Sequence, residues 1–304
     1  MAQSARKASG SASPYTLQVP VDEVSLTFRA FDANGKPLTT LKPTDLKLLD
    51  DDKPQDNIVA FQSYQDLPIR AGFLFDSSIS MFRSLNGNSA IIRLYASRLL
   101  RKGYDSAFVM QFDTDTLTRQ SWTDNDGLIG AGAAAIRPRN DRIPVTALYD
   151  SLYTTCRDMW PRDHGDETGN FILLFSDGLD NDSHVYLSEA VDMCQRSRTA
   201  IYVLSNSRKA PEMRGRRQSP FTEGQQPLEA LAEQTGGRVY FAPHGDQIWR
   251  DLQQIEAEQR NQYLLAYKPT GFKADGAFHT ISLRCTMKGT RIVSRSGYYA
   301  FPRR

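Results

Sequence analysis

Cysteine and histidine are scarce in this chain, three of the first and four of the second among 304 residues. Cys156, Cys194 and Cys285 are too few and too scattered for a thiolate zinc cluster. His164, His184, His244 and His279 are just as dispersed, and only His184 falls near the candidate site described below, where a loop histidine is ordinarily solvated. No run approaches the roughly 18 apolar residues that a membrane-spanning helix requires, so membrane insertion is not expected. Met1 to Ser13 lacks the apolar core of a secretory signal, although an export signal removed earlier would leave the same start. The net charge is only +2, too mild to indicate nucleic acid, and any charged partner surface must be local. A Gly-rich phosphate loop with its Lys and a Gly-x-Ser-x-Gly nucleophile turn are both missing.

What is present is a globular composition, 40% hydrophobic and 24% charged, long enough for one large domain or two modest ones. Residues 1–14, rich in Ser, Ala and Gly without periodicity, read as a disordered leader. Residues 15–66 carry short strands. Val24, Leu26 and Phe28 alternate with Ser25, Thr27 and Arg29, Asn34-Gly35 supplies a turn, and segments at Leu46–Leu49 and Ile58–Tyr64 follow. Between them Asp50-Asp51-Asp52-Lys53-Pro54 reads as a solvated hairpin tip, since no calcium-loop spacing of Gly and Glu follows.

Beyond Asp66-Leu67-Pro68 the pattern changes. Buried strands are expected at Gly72–Phe75, Ala107–Phe112, Phe171–Phe175, Thr199–Leu204 and Arg238–Phe241. Between them lie helical faces: Ile92, Tyr95 and Leu99; Leu148, Leu152, Thr155 and Met159; Ile248, Leu252 and Ile255. Such alternation predicts a doubly wound, mostly parallel α/β sheet over residues 67–259, with Thr114–Trp122 as an antiparallel edge strand. Residues 260–304 return to β at Tyr263–Tyr267, Phe278–Cys285 and Arg291–Tyr299. Neither β flank is large enough for a core of its own, so the two are expected to meet as one small antiparallel sandwich-like domain with the α/β unit inserted in it.

The most informative stretch is Phe73-Leu74-Phe75-Asp76-Ser77-Ser78-Ile79-Ser80, an apolar strand that ends in a carboxylate with hydroxyls at alternate positions. Thr146, before the Ala147-Leu148-Tyr149 helix, and Asp177-Gly178, after Phe171–Phe175, add two more oxygen-bearing segments. In an open parallel sheet the carboxyl ends of the strands share one edge, which places Asp76 and Asp177 together at the ligand crevice with Thr146 within reach. A competing reading makes Asp76 and Ser78 mere caps of the next helix, but it accounts for neither Thr146 nor Asp177.

Asp76-x-Ser78-x-Ser80, then Thr146, then Asp177-Gly178 resembles the metal-ion-dependent adhesion site (MIDAS) of the von Willebrand factor type A domain, a resemblance that covers roughly residues 67–259. The flanks, Thr44 to Gln55 and Gly297-Tyr298-Tyr299-Ala300, further resemble a bacterial group of such proteins prominent in Acidobacteria. The resemblance implies that the hydroxyls of Ser78, Ser80 and Thr146 hold Mg²⁺ directly, with Mn²⁺ or Ca²⁺ as alternatives, and that Asp76 and Asp177 act mainly through water. It also implies that the under-neutralised cation recruits an exposed Asp or Glu of a protein partner. The last helix, Asp246–Gln259, is the element that shifts with ligand in related domains and here leads into the C-terminal β segment.

Several further residues have plain readings. Asp180 and Asp182 suit a polar loop capping the next helix, and Asp113 and Asp115 a hairpin. Arg137, Arg139 and Arg142, and Arg208 to Arg217, are either solvated or steer an acidic partner. Cys156 and Cys194 sit on helices that right-handed crossovers could bring together, as a disulfide of an exported protein or as two buried thiols, whereas Cys285 alternates with Ile281 and Leu283 as core. The enzymatic rival uses Asp76 as a nucleophile for Mg-dependent phosphoryl transfer, yet the second Asp such a site needs two residues on is Ser78 here. A metal-dependent binding module, secreted or periplasmic with a cytoplasmic home as the alternative, is the expected function, and a purely structural envelope role is the third reading. The sequence sets no oligomeric state.

Overall fold

The computed structural model describes residues 23–138, 145–160, 168–206, 224–241 and 246–300, so the expected leader at 1–14 lies outside the described residues. The chain begins with β1 (Val24–Phe31), β2 (Leu46–Asp50), β3 (Lys53–Pro54) and β4 (Ile58–Tyr64). Then come β5 (Ile69–Asp76), α1 (Leu85–Leu99), β6 (Ser106–Phe112), β7 (Thr116–Thr123), α2 (Asp126–Ala134) and α3 (Leu148–Asp158). They are followed by β8 (Gly169–Phe175), α4 (Leu187–Arg196), β9 (Ala200–Ser205), α5 (Gln225–Thr235), β10 (Arg238–Phe241) and α6 (Asp246–Arg260). β11 (Gln262–Tyr267), β12 (Phe278–Cys285), β13 (Arg291–Ser294) and β14 (Gly297–Tyr299) end the described chain.

Six strands form one sheet in the order β10-β9-β8-β5-β6-β7, parallel throughout except for the edge strand β7. The central strand β5 is buried on both faces, which is why it reads as a continuous apolar run. Its odd residues Ile69, Phe73 and Phe75 face a core completed by α1, α2 and α6, while Leu74 faces a second core under α3, α4 and α5. Gly72 leaves room on that second face, where a Cβ would collide with the ring of Phe108, itself packed edge-on against Trp122 and Trp160. The sheet is therefore doubly wound.

The flanking strands form two antiparallel sheets, β13-β1-β11-β4 and β14-β12-β2-β3, each drawing on both ends of the chain. Leu26, Phe28, Tyr263, Leu265 and Tyr267 from the first and Leu48, Ile281 and Leu283 from the second share one core. Cys285 is only partly buried against that core. Arg291–Tyr299, expected as one strand, is two: the chain leaves β13 at Arg295-Ser296 and joins the other sheet as β14. Asp51 and Asp52 make the expected exposed hairpin tip, at φ of 47° and 61° between β2 and β3. Asp50 instead ends β2 and is buried rather than solvated, because it accepts from the Tyr267 and Tyr298 hydroxyls.

Where the chain enters and leaves the α/β unit, Arg260 at the end of α6 makes a two-pronged ion pair with the buried Asp105, 3.0 Å on each prong. The same guanidinium reaches Glu256 and the carbonyls of Leu67 and Leu99, and Leu67 N–H donates to the Arg260 carbonyl at 2.9 Å. Asp105 also accepts from Ile69 N–H and from Arg101. Burial alone would raise its carboxyl, but Arg260 and Arg101 outweigh that and hold it down at about 2. On the opposite face of the sheet Cys156 of α3 and Cys194 of α4 form a disulfide with Cα atoms 5.0 Å apart.

Candidate metal centre

β5 runs on to β6 and β7 on one side, after which the chain returns to β8 on the other, so the carboxyl ends of β5 and β8 flank a topological switch point. Asp76 is the last residue of β5 and is fully buried. Its Oδ1 accepts from Ser78 N–H at 3.0 Å and its Oδ2 from Ser176 Oγ–H at 2.8 Å. Ser176, just past β8, also accepts from Gly178 N–H at 3.0 Å and so ties the two strand ends together. Ser78 and Ser80 lie with their hydroxyl oxygens 3.1 Å apart. The capping reading fails: α1 starts only at Leu85, and Ser78, which precedes a short 3₁₀ turn at Ile79–Met81, makes no side-chain capping bond.

Asp177 is half-buried, with Oδ1 accepting from Leu179 N–H at 3.2 Å. The turn after it needs Gly178, at φ +86°, because a side chain there would run into Gly224 and Leu228. Thr146 is buried and held by its backbone. Its N–H donates to Asn181 Oδ1 at 2.8 Å, and its carbonyl accepts from Asn181 and Asp182 N–H. Its hydroxyl makes no hydrogen bond among the described residues.

Asp180 does not cap the helix that follows it, as the sequence suggests. It reaches back to the start of α3, accepting from Leu148 and Tyr149 N–H at 2.8 and 3.3 Å, while Ser183 Oγ takes Tyr149 and Asp150 N–H. The cap is supplied across space because Ala147, the local capping position, offers no side-chain acceptor. Asp113 is part of the same edge: its carbonyl accepts Ala147 N–H at 2.7 Å and its carboxylate accepts the Ser77 hydroxyl at 3.3 Å. His184 packs on Asp150 in the first turn of α3, 3.0 Å away and largely exposed. Ser176 and Asn181 are the positioning residues that sequence reasoning missed, and Asp180 is one that it assigned to the wrong helix. Only Ser176 adjoins the motif.

Neither Asp76 nor Asp177 has an ion-pair partner among the described residues. Burial pushes the Asp76 carboxyl up to about 7, and the Asp177 charge adds to the rise against the hydrogen bonds from Ser78 and Ser176. Asp76 and Asp177 have no counter-charge among the described residues, and the Ser78 and Ser80 hydroxyls beside Asp76 add further oxygens, a donor type that suits a small hard cation. The three acidic and histidine groups that approach closely elsewhere, Asp50, Asp51 and His279, belong to the antiparallel sheets, where Asp50 accepts from the hydroxyls of Tyr267 and Tyr298. Arg139 and Arg142, the run Arg208 to Arg217, His164 and His244 lie outside the described residues.

The architecture is that of the von Willebrand factor type A fold. Among solved structures, proximal thread matrix protein 1 from the mussel byssus is similar at 15% identity and a TM-score of 0.50 over 69% of this chain and 51% of that one. A form of that protein with a zinc-occupied MIDAS motif is similar at 14% identity and a TM-score of 0.50, over 69% and 50% of the two chains. The present chain thus matches about half of that protein's length. The conserved hypothetical protein BatB from Bacteroides thetaiotaomicron is similar at 17% identity and a TM-score of 0.48, over 62% of this chain and 97% of that one. No family model matches the chain, and no curated protein sequence does. No described helix is long and apolar enough to cross a membrane.

Proposed function

We propose that residues 67–259 form a metal-dependent protein-binding module. In this reading Ser78, Ser80 and Thr146 hold Mg²⁺ or a similar divalent ion through their hydroxyls, and Asp76 and Asp177 steady it through water. With no directly bound carboxylate of its own, the cation completes its shell with an Asp or Glu side chain from a partner. The observation that carries the reading is the pair of unneutralised carboxyl groups, Asp76 and Asp177, at the switch point, with the Ser78 and Ser80 hydroxyls beside Asp76 and Thr146 tied to the same loop through Asn181. The rim suits a protein surface rather than a small substrate: Ile79, Phe82 and Tyr186 are 42%, 60% and 77% exposed on segments that leave this edge.

The Cys156–Cys194 disulfide supports an exported protein, since such bonds persist in oxidising compartments. The flanks at residues 44–55 and 297–300 support the finer likeness to bacterial proteins prominent in Acidobacteria. Binding is favoured over turnover because Ser78 stands where a phosphoryl-transfer site needs its second carboxylate.

Calorimetric titration with Mg²⁺ and Mn²⁺ tests the site, with Asp76→Ala and Asp177→Ala expected to abolish the binding seen in the parent chain. Capture of partners from the native organism's envelope fraction, with Mg²⁺ and with chelator, tests the function. Capture that survives both chelator and Asp76→Ala would overturn it, as would phosphatase turnover that Asp76→Ala abolishes.

A further inference from the structure

At the amino edge of the parallel sheet, away from Asp76 and Asp177, the antiparallel sheets meet the α/β unit around a cavity of about 550 Å³. Thr199 and Ala200 at the start of β9 and Thr235 at the end of α5 line one side, and β1, β14 and the last turn of α4 line the other.

Four arginines line this space; Arg196 pairs with Asp192, whereas Arg29, Arg198 and Arg295 have no carboxylate ion-pair partner among the described residues. The two acids of the cavity are engaged elsewhere: Asp192 pairs with Arg196 at 2.7 Å and reaches Arg295 only at longer range, and Glu23 faces Lys268 at 3.6 Å.

Arg29 occupies a position that period-two alternation assigns to the solvent face of β1, yet it is only 4% exposed. Its Nη1 donates to the Gly236 carbonyl at 2.8 Å, and its Nε is buried without a partner. The end of α5 supplies only a fraction of a counter-charge, so helix capping does not account for the whole guanidinium. Arg295 meets neutral acceptors, Gln195 Oε1 at 3.2 Å and the Ser25 carbonyl at 2.9 Å, and its Nε is likewise orphaned. Gly236 lets both residues approach, since a Cβ there would lie 3.4 Å from Arg29 Nη1 and 3.2 Å from the Arg295 backbone nitrogen. Arg198 follows α4 at φ 53°, a left-handed position that normally falls to Gly or Asn. Arg29 is buried and Arg295 half-buried, while Arg198 is exposed where it lines the cavity; buried cations are ordinarily paired, and two without a counter-charge beside one cavity call for an anion. Phe272, Tyr298 and Tyr299 give the same cavity an aromatic wall.

We propose that this cavity binds a small organic oxyanion, a phosphate ester or a dicarboxylate carrying an aromatic or apolar portion, through Arg29, Arg198 and Arg295. Planar guanidinium forks accept either oxyanion in two-pronged geometry, and the volume lies within the range of small-molecule sites. The site is independent of the metal centre, since it occupies the other edge of the sheet.

Calorimetry on the full chain in chelator, at fixed ionic strength, with phenyl phosphate and with phenylsuccinate as probes, tests the assignment, and the tighter probe names the oxyanion class. Arg29→Met is expected to weaken that probe at least about ten-fold, the loss of one charge-assisted contact. Arg198→Gly is expected to weaken it comparably while raising the melting temperature, because the left-handed backbone is relieved. A merely structural role for Arg198 would not separate the two readouts, and this variant carries the test if Arg29→Met fails to fold. Failure of both probes to bind the parent chain, or binding that survives both substitutions, overturns the proposal.

Discussion

Replacing Asp76 by Asn should make the metal-free protein more stable, a result opposite to that expected for most buried polar residues. The Asp76 carboxyl titrates at about 7 in the fold, against about 3.9 in the unfolded chain. The folded state therefore keeps a proton that the unfolded state gives up. The contribution of this group to stability is whole below the unfolded value and is lost as pH rises through 7. At pH 8 the burdened carboxylate costs about 4 kcal/mol. Asn retains the acceptor for Ser78 N–H but gives the Ser176 hydroxyl a donor in place of an acceptor, a loss of about 1 kcal/mol. The net gain of about 3 kcal/mol corresponds to roughly 5–10 °C in melting temperature and shrinks below about 1 kcal/mol near pH 5. Metal reverses the order: Mg²⁺ at a hundred times its dissociation constant adds about 2.7 kcal/mol to the parent chain and little to the variant. Differential scanning calorimetry at pH 5 and pH 8, in chelator and in Mg²⁺, reads all four corners. If Asp76→Asn melts below the parent in chelator at pH 8, the picture of an uncompensated buried carboxylate is wrong.

The other expectations concern four separate parts of the molecule. Opening the Cys156–Cys194 bridge, which closes a 38-residue separation, should cost about 4 kcal/mol, and a reductant that leaves the melting temperature untouched would show the bond to be inert or absent. Asp105→Ala should cost about 3–5 kcal/mol by stranding Arg260, measured by urea unfolding. Because the Asp105 carboxyl is held at about 2, its contribution of about 2 kcal/mol is present above pH 4 and fades between pH 4 and pH 2, so the acid limb of the unfolding curve should flatten in Asp105→Asn. Asp180→Ala removes the acceptor that caps α3 from outside, and should cost about 1 kcal/mol together with a several-fold loss of Mg²⁺ affinity as Thr146 loosens; unchanged affinity would separate the cap from the metal site. In hydrogen exchange, α6 is pinned at its end by Arg260, Tyr202–Glu258 and the Leu67 contacts, so any response to Mg²⁺ and ligand should be confined to its first two turns, and altered protection at 256–262 would contradict this.

How much of this was legible depended on whether the cause was local. The strands of the parallel sheet announce themselves because both faces are buried, and Ile58–Tyr64, Arg238–Phe241 and Phe278–Cys285 end where turn residues say they should. α2 escaped notice because Asp126–Ala134 is mostly Gly and Ala, with no apolar period to detect. The break at Arg295-Ser296 was invisible because a change of sheet is decided by the partners of β13 and β14, not by their residues. At the metal edge the motif residues stood out by spacing. The hold of Asn181 on Thr146 and of Asp180 on α3 spans 35 and 32 residues and has no sequence signature. Arg29 looked like an outward polar residue because its burial comes from the packing of β1 against Gly236, 207 residues away.

The interleaving of the two antiparallel sheets also dictates the order in which the protein can be made. The strand partners of β1 among the described residues are β11 and β13, and the Tyr263 hydroxyl that secures Leu41 lies 222 residues downstream. At synthesis rates of about 5–20 residues per second, the Val24, Leu26 and Phe28 stripe waits roughly 10–50 s on the ribosome before its partners exist. During that interval the α/β unit, whose parallel strands all lie between residues 69 and 241, can complete itself. The Arg260–Asp105 clasp can close only after residue 260 has been made, and β11 follows it directly in the chain. Synthesis in this order would let the inserted unit gather both β flanks, and truncation anywhere before β11 would leave the apolar stripe of β1 unpaired for chaperones or proteases to find.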